Sequence, residues 1–187
     1  MKTKELVFAA LCTALTAVAA QISVPLPFTP VPFAMSVFAV YLTGALLPMR
    51  EALLSQVAYL LLGAAGLPVF AGFRAGVGVL AGPTGGFLVA YPFMAALVAL
   101  VCRLFGRKTV PVLAVGMLCA LAVCYLGGSL WFCASAKVSW AKSLALTAMP
   151  FVPLDLVKIA VCAPLAAALA RRLSLRAEPV APRRGPR

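Results

Sequence analysis

Met149–Leu169 reads MPFVPLDLVKIAVCAPLAAAL and holds two charges, Asp155 and Lys158, in an otherwise apolar run. About 20 apolar residues are enough for a helix to cross a membrane. Each charge near the centre of such a span costs roughly 2.5–3.5 kcal/mol on insertion scales. The spacing of three places both charges on one helix face, one turn apart. We therefore expect the pair either to bind a ligand or to form a buried ion pair that fixes helix packing, although desolvation offsets much of the attraction in such pairs.

The composition predicts an all-α membrane protein. Of the 187 residues, 64% are hydrophobic and 11% are charged, and the mean hydropathy is +1.09, whereas soluble domains are about 25% charged. Apolar runs bounded by proline and glycine predict a bundle of six transmembrane helices. We expect one transmembrane domain over residues 1–172 and a basic cytoplasmic tail over residues 173–187. The six predicted spans are Leu6–Ile22, Phe33–Leu47, Ala52–Leu67, Gly85–Val101, Val110–Trp131 and Met149–Leu169.

The sixteen lysine and arginine residues predict the orientation of this bundle. With a cytoplasmic amino terminus, only Arg74, Lys137 and Lys142 fall outside, and Lys158 lies within a span. The remaining basic residues all fall inside, as the positive-inside rule requires: Lys2, Lys4, Arg50, Arg103, Arg107, Lys108, Arg171, Arg172, Arg176, Arg183, Arg184 and Arg187. Both termini should then be cytoplasmic. The net charge of +12 indicates topology and contact of the tail with membrane lipid, and it does not indicate nucleic-acid binding.

The first predicted helix allows two interpretations. Lys2 and Lys4, an apolar run and then Ala17-Val18-Ala19-Ala20-Gln21 resemble a secretory signal with a small-residue cleavage site. We favour a retained helix, and cleavage would leave five spans in the same orientation. Ala10 and Ala14 place small residues four apart, a spacing that allows another helix to approach closely, although alanine is abundant throughout this chain.

The side chains used in most catalysis are scarce. The chain has no histidine, which excludes an imidazole base and a histidine-ligated metal. Its six cysteines include no Cys-x-x-Cys pair and read as small apolar residues that pack helices. Of the four acidic residues, Glu5, Glu51 and Glu178 lie at predicted cytoplasmic positions, so Asp155 has no second carboxylate for acid–base work. We expect neither an enzyme nor a bound cofactor or metal.

Glycine is concentrated between the third and fourth spans, where eight of the 14 glycines lie between Gly63 and Gly86. The segment lacks the Gly-x-x-x-x-Gly-Lys-Ser/Thr pattern of phosphate-binding loops, so it supplies no ATP site. Irregular backbone at membrane depth requires shelter by protein or a cavity. The segment predicts a loop that folds over a cavity, and the alternative is a plain surface turn.

Four motifs in order resemble the BioY family, the biotin-specific S component of energy-coupling-factor (ECF) vitamin transporters. The resemblance covers the chain to about Arg172. It departs at two positions, where Ser36 replaces a frequent glutamine and Gly72-Phe73 replaces a usual Gly-Gly. The motifs are Ala20–Pro27 with Pro30-Val31-Pro32, Gly63–Gly72, Gly82–Gly86, and Pro153-x-Asp155-x-x-Lys158.

The resemblance implies a six-helix S component of the bacterial cytoplasmic membrane, with biotin bound from outside under the first and third loops. It also implies a transmembrane coupling subunit and two ATPases as partners, with ATP used only there, and docking through the face of Ala10 and Ala14. Asp155 can accept the ureido N–H groups, and Lys158 can donate to a carbonyl or carboxylate. Arg74 is a second candidate for the valerate carboxylate, and Gln21 either binds ligand or caps the first helix. Apolar and loop contacts are expected from Phe28, Phe70, Gly72, Phe73 and Tyr91.

The sequence is also compatible with two other functional classes. A solitary facilitator or channel would carry a vitamin-like solute without partners, although the chain lacks the charged rings expected of an ion path. A membrane-embedded enzyme or assembly factor is disfavoured by the missing histidines and acids.

Overall fold

Eight helices and one short hairpin make up the part of the chain that the computed structural model describes, residues 3–27, 29 and 31–173. Two predicted features lie outside these residues: Phe28, and the tail beyond Leu173. In chain order the elements are α1 Thr3–Gln21, β1 Ser23–Val24, β2 Phe33–Ala34, α2 Ser36–Leu46, α3 Met49–Ala64, α4 Val77–Ala81, α5 Gly85–Leu104, α6 Val110–Ala136, α7 Trp140–Thr147 and α8 Val152–Leu173.

Three helices in the described residues are long and apolar enough to cross a membrane: α5, α6 and α8. Shorter apolar helices lie within α1 and at α2. The protein is therefore a mostly helical, multi-pass membrane protein. Each of the six predicted spans overlaps one helix, in order α1, α2, α3, α5, α6 and α8, although their ends differ.

The differences at the helix ends have local causes. α2 begins at Ser36 instead of Phe33, because Phe33 and Ala34 pair with Val24 and Ser23 in the β1–β2 hairpin. α3 begins three residues early, at Met49, since Pro48 in an extended conformation precedes it and Glu51 lies in its first turn, where a negative charge is favoured.

The prediction missed α4 and α7. α4 lies within the glycine-rich segment. α7 follows α6 after Lys137, whose left-handed backbone (φ 53°, ψ 42°) ends α6 and turns the chain back. Both are shorter than one span, so hydropathy alone does not reveal them.

α5 lies at the centre of the bundle and packs against α2, α3 and α6. α8 packs on α2 and α6, and α1 packs on α2 and α3. Lys108, in the loop between α5 and α6, donates a 3.1 Å hydrogen bond to the Leu46 carbonyl at the end of α2. Burial lowers the pKa of this half-buried ammonium group.

A buried polar seam holds α1 to its neighbours. Gln56 Nε2 donates to Thr16 Oγ1 at 3.2 Å and to Thr43 Oγ1 at 3.3 Å, and Thr13 Oγ1 donates to the Ser55 carbonyl at 2.9 Å. The face of α1 that carries Thr13 and Thr16 therefore points into the bundle. Hydrogen bonds of this kind are among the forces that hold membrane helices together.

Candidate ligand-binding site

The two charges of α8 form a buried ion pair. Lys158 Nζ lies 2.8 Å from Asp155 Oδ1, and the two residues are only 6% and 5% exposed. The Tyr125 hydroxyl on α6 donates to Asp155 Oδ2 at 2.6 Å. Among the described residues, no donor is aligned to give Oδ1 a hydrogen bond. The carboxylate is thus held by two groups and keeps one oxygen with unused acceptor capacity.

Lys158 is oriented by the β1–β2 hairpin. Its ammonium donates to the Ala34 carbonyl at 2.8 Å and lies 3.9 Å from the centre of the Phe33 ring. A cation over an aromatic face is attracted by the ring quadrupole, more strongly when it is desolvated. The hairpin therefore supplies both a hydrogen-bond acceptor and a ring face to the charge.

A hollow space lies beside the ion pair, and we call it the charged cavity. Its empty volume is about 460 Å³, which includes space open to solvent. Tyr91, Tyr125, Thr147, Phe151, Asp155 and Lys158 are among the residues that line it. The ion pair is therefore not sealed between helices, because both of its members border an accessible space.

A second space, the middle cavity, adjoins the first and has an empty volume of about 420 Å³. The two cavities share Phe87 and Tyr91 in their walls. The Tyr91 hydroxyl is 2.7 Å from Ser36 Oγ, and its ring stacks on Tyr59 at 6.2 Å between centroids. Phe70 meets Tyr59 edge to face at 5.6 Å and is 1% exposed. The wall of the middle cavity thus includes four aromatic side chains, Tyr59, Phe70, Phe87 and Tyr91.

A surface groove continues this row of spaces toward solvent. It shares Pro32, Ala71 and Arg74 with the middle cavity and also includes Gln21 and Gly72. Arg74 is exposed, and its Nε donates to the Ala71 carbonyl at 3.2 Å, so the other guanidinium nitrogens have no hydrogen-bond partner among the described residues. The row thus has a cation at the groove and an ion pair at its other end.

The segment Gly66–Gly76, which we call the lid, closes over the middle cavity. Phe70 and Arg74 form an antiparallel bridge, and Gly72 and Phe73 between them have φ angles of 70° and 57°. The left-handed region suits glycine but costs a residue with a side chain about 1–2 kcal/mol. The Phe73 ring is 71% exposed, so it points away from the protein.

Gln21, at the end of α1, connects the lid to the bundle. Its Oε1 accepts the Phe73 N–H at 2.9 Å, and its Nε2 donates to the Phe70 carbonyl at 3.3 Å. Nε2 also contacts the Ala17 carbonyl at 3.1 Å. Gln21 therefore bonds both to its own helix and to the lid.

Replacement of Gln21 by alanine should loosen the lid, since it removes these bonds. Each bond contributes about 0.5–1.5 kcal/mol net, so the Phe73 amide should exchange hydrogen about 2- to 10-fold faster. Hydrogen–deuterium exchange of the detergent-solubilised protein measures this. The Phe105 amide, bonded to the Val101 carbonyl at the end of α5, is the internal control. Unchanged exchange at Phe73 would show that Gln21 does not hold the lid.

The structure brings most of the predicted site residues together. Asp155, Lys158 and Tyr91 line the charged cavity, Phe70, Arg74 and Tyr91 line the middle cavity, and Gln21, Gly72 and Arg74 line the groove. Phe73 lines none of these spaces. Ala10 and Ala14 lie on the exposed face of α1, away from the cavities.

Sequence reasoning missed Tyr125 and Thr147, which also line the charged cavity. A polar side chain in an apolar span was the available signal for Tyr125. Within the described residues, no group of three His, Cys, Asp or Glu side chains could hold a metal ion.

Fold and site together define a polytopic membrane protein that has a buried ion pair beside a lidded cavity. The BioY family model matches residues 1–175. The chain belongs to the BioY family, whose members are transporters.

Curated relatives and a solved structure extend this finding. The "Probable biotin transporter BioY" of Pyrococcus horikoshii is 41% identical over 86% of this chain and 92% of its own. The biotin transporter BioY2 of Lactococcus lactis is 34% identical over 92% and 93%, and the biotin transporter BioY of Thermotoga maritima is 36% identical over 87% and 94%. A crystal structure of the S-component for biotin from an ECF-type ABC transporter shares the fold, with a TM-score of 0.86 at 23% identity over 94% of this chain and 97% of that one.

Proposed function

We propose that this chain is the high-affinity subunit for biotin uptake, which captures biotin from outside the cell and delivers it inward. The observation that carries this proposal is the Asp155–Lys158 ion pair, which borders a cavity instead of being packed away. Keeping two charges in an apolar bundle is costly, and a polar ligand that uses both would account for it. Membership in a family whose curated members are named biotin transporters supports the same ligand.

The chemistry of the row matches that of biotin. The ureido ring offers N–H donors to Asp155, and its carbonyl can accept from Lys158, which has three N–H donors. The aromatic walls of Tyr59, Phe70 and Tyr91 suit the thioether ring and the aliphatic chain. The carboxylate then lies toward Arg74, because this cation stands at the other end of the row.

We further propose that six helices cross the membrane, with residues 1–172 as the transmembrane domain, residues 173–187 as a basic tail, and both termini in the cytoplasm. The crossing helices are α1, α2, α3, α5, α6 and α8. The positive-inside bias supports this orientation, and it places the lid and the mouth of the row outside. The membrane is the bacterial cytoplasmic membrane.

Transport needs partners in this proposal. The sequence has no phosphate-binding loop, so ATP hydrolysis belongs to two ATPase subunits that act through a transmembrane coupling subunit. The exposed Ala10 and Ala14 face of α1 is the docking surface for the coupling subunit, since small residues allow close helix approach. The chain itself carries no cofactor, and biotin is its ligand.

The purified protein should bind biotin in detergent without ATP, and equilibrium dialysis with labelled biotin measures this. Other vitamins serve as control ligands. In liposomes the chain alone should give no concentrative biotin uptake, because it has no energy source. Absence of biotin binding would refute the proposal, and biotin flux without partners would favour a solitary facilitator.

A further inference from the structure

Three buried hydroxyl groups join α7 to α6, and we call them the hydroxyl clasp: Ser129, Ser143 and Thr147. Ser143 Oγ donates to the Ser129 carbonyl at 2.7 Å, and Thr147 Oγ1 donates to the Ser143 carbonyl at 2.8 Å. Ser129 Oγ and Thr147 Oγ1 are 2.9 Å apart. Ser129 and Ser143 are 0% exposed, and Thr147 is 1% exposed. The clasp fixes the short helix that the hydropathy pattern did not reveal.

Thr147 differs from the other two members of the clasp because it also lines the charged cavity. The cavity wall continues from Thr147 through Phe151 to Asp155 and Lys158, along the connection from α7 into α8. Ser129 and Ser143 are not part of the described lining of this cavity. The clasp therefore helps to fix the position of one polar residue in the cavity wall.

The Thr147 hydroxyl keeps a free acceptor site. A hydroxyl group has one hydrogen and two lone pairs. The Thr147 hydrogen is used on the Ser143 carbonyl, so Ser129 must be the donor in the contact between the two hydroxyls. One lone pair of Thr147 Oγ1 remains unused and can accept a hydrogen bond but not donate one.

Asp155 presents a second unused acceptor in the same cavity. Its Oδ1 is buried and faces the Lys158 ammonium, but no described donor gives it a hydrogen bond. Lys158 is the donor beside them: its ammonium, which has three N–H groups, forms an ion pair with Asp155 and donates to the Ala34 carbonyl. Two acceptors and one cationic donor on one cavity complement a ligand that has two N–H groups on either side of a carbonyl.

We propose that Thr147 is a specificity-determining residue for the ureido group: Thr147 Oγ1 accepts one ureido N–H, Asp155 Oδ1 accepts the other, and Lys158 donates to the carbonyl. This inference rests on the proposed function and assigns part of the recognition to α7. Ser129 and Ser143 act through Thr147 and are positioning residues. A ligand in which one ureido N–H is replaced is rejected because a buried acceptor is then left without its donor.

The variants Thr147→Val and Thr147→Ser test the proposal with equilibrium dialysis. Valine keeps the shape but removes the acceptor, and should raise the Kd for biotin about 3- to 10-fold, the usual effect of one hydrogen bond. Serine keeps the hydroxyl and should leave the Kd within about twofold. Ser143→Ala is the matched control, since it removes a hydroxyl from the clasp but not from the cavity. It should change the Kd less than Thr147→Val does.

Two N-methylbiotins, which are isomers of each other and carry the methyl group on different ureido nitrogens, supply a readout that a structural role would not move. The isomer that lacks the N–H facing Thr147 should bind the wild type and Thr147→Val equally. The other isomer should still distinguish the two proteins. Both isomers should bind the wild type at least about 10-fold more weakly than biotin, and this measurement stands even if the valine variant does not fold.

Three results would overturn the inference while leaving biotin binding intact: an unchanged Kd in Thr147→Val, an equal rise in Ser143→Ala, or one methylated isomer that binds the wild type as tightly as biotin. Failure of the wild type to bind biotin would instead refute the proposed function itself.

Discussion

Replacement of Asp155 by asparagine should weaken biotin binding by about 10- to 150-fold. The change removes an ionised acceptor, and hydrogen bonds to charged groups contribute about 1.5–3 kcal/mol. It also leaves Lys158, which is 6% exposed, without its counter-charge, and breaking a buried pair in this way costs about 3–5 kcal/mol. The asparagine amide adds a donor where the cavity needs an acceptor. The variant should therefore lose affinity and also unfold at a lower temperature.

Glu51→Gln is the matched control for this experiment. Glu51 is a second buried carboxylate, 6% exposed, in the first turn of α3, and it lines none of the described cavities. The Glu51→Gln variant should bind biotin with wild-type affinity. Dialysis at a temperature where both variants are folded, checked by gel filtration, separates binding from stability. Unchanged affinity in Asp155→Asn would remove Asp155 from the site and leave the pair a purely structural role.

The ion pair could be predicted because its evidence is local. A spacing of three residues places two side chains on the same face of any helix, and the cost of charge in an apolar span makes the two meet. The structure gives the 2.8 Å contact that this reasoning requires. A loop over a cavity could also be predicted from a local feature, the eight glycines between Gly63 and Gly86. The structure places the lid, which lies within this segment, in the wall of the middle cavity.

Tyr125, Thr147 and α7 could not be predicted because their roles depend on tertiary contacts. Tyr125 is 30 residues from Asp155, and nothing near it in the chain indicates that its hydroxyl meets a carboxylate. Ser143 and Thr147 lie one turn apart on α7, a spacing that fits any amphipathic helix. Their role depends on contacts with α6, which supplies the Ser129 carbonyl and hydroxyl.

The sequence leaves two roles open for Gln21. These roles are ligand binding and capping of the first helix. In the structure its amide group bonds to the Ala17 carbonyl in the last turn of α1, which is a capping contact, and also to Phe73 and Phe70 in the lid. The lid contacts join residues about 50 positions apart, so the periodicity of α1 could not reveal them. A ligand contact of Gln21 remains a prediction.

Replacement of Gly44 by valine should destabilise the bundle clearly more than the same change at Gly127. Gly44 is buried on α2 where it crosses the central helix α5. A Cβ at this position would meet the Ala95 carbonyl oxygen and would come 2.8 Å from Val98 Cβ. The oxygen belongs to the backbone and cannot rotate away, so α2 and α5 must separate. Overpacking of this kind costs about 1–3 kcal/mol, and valine should fall at the upper end.

Gly127→Val is the matched control, because Gly127 also lies inside a helix but a Cβ there meets nothing within 4 Å. Both variants share the low helix propensity of valine, so the difference between them isolates the packing of α2 on α5. Thermal unfolding in detergent should show a clearly lower midpoint for Gly44→Val, with biotin binding lost as well, because α2 follows directly on the hairpin that holds Lys158. Equal midpoints for the two variants would show that α2 and α5 do not cross as closely as Gly44 allows.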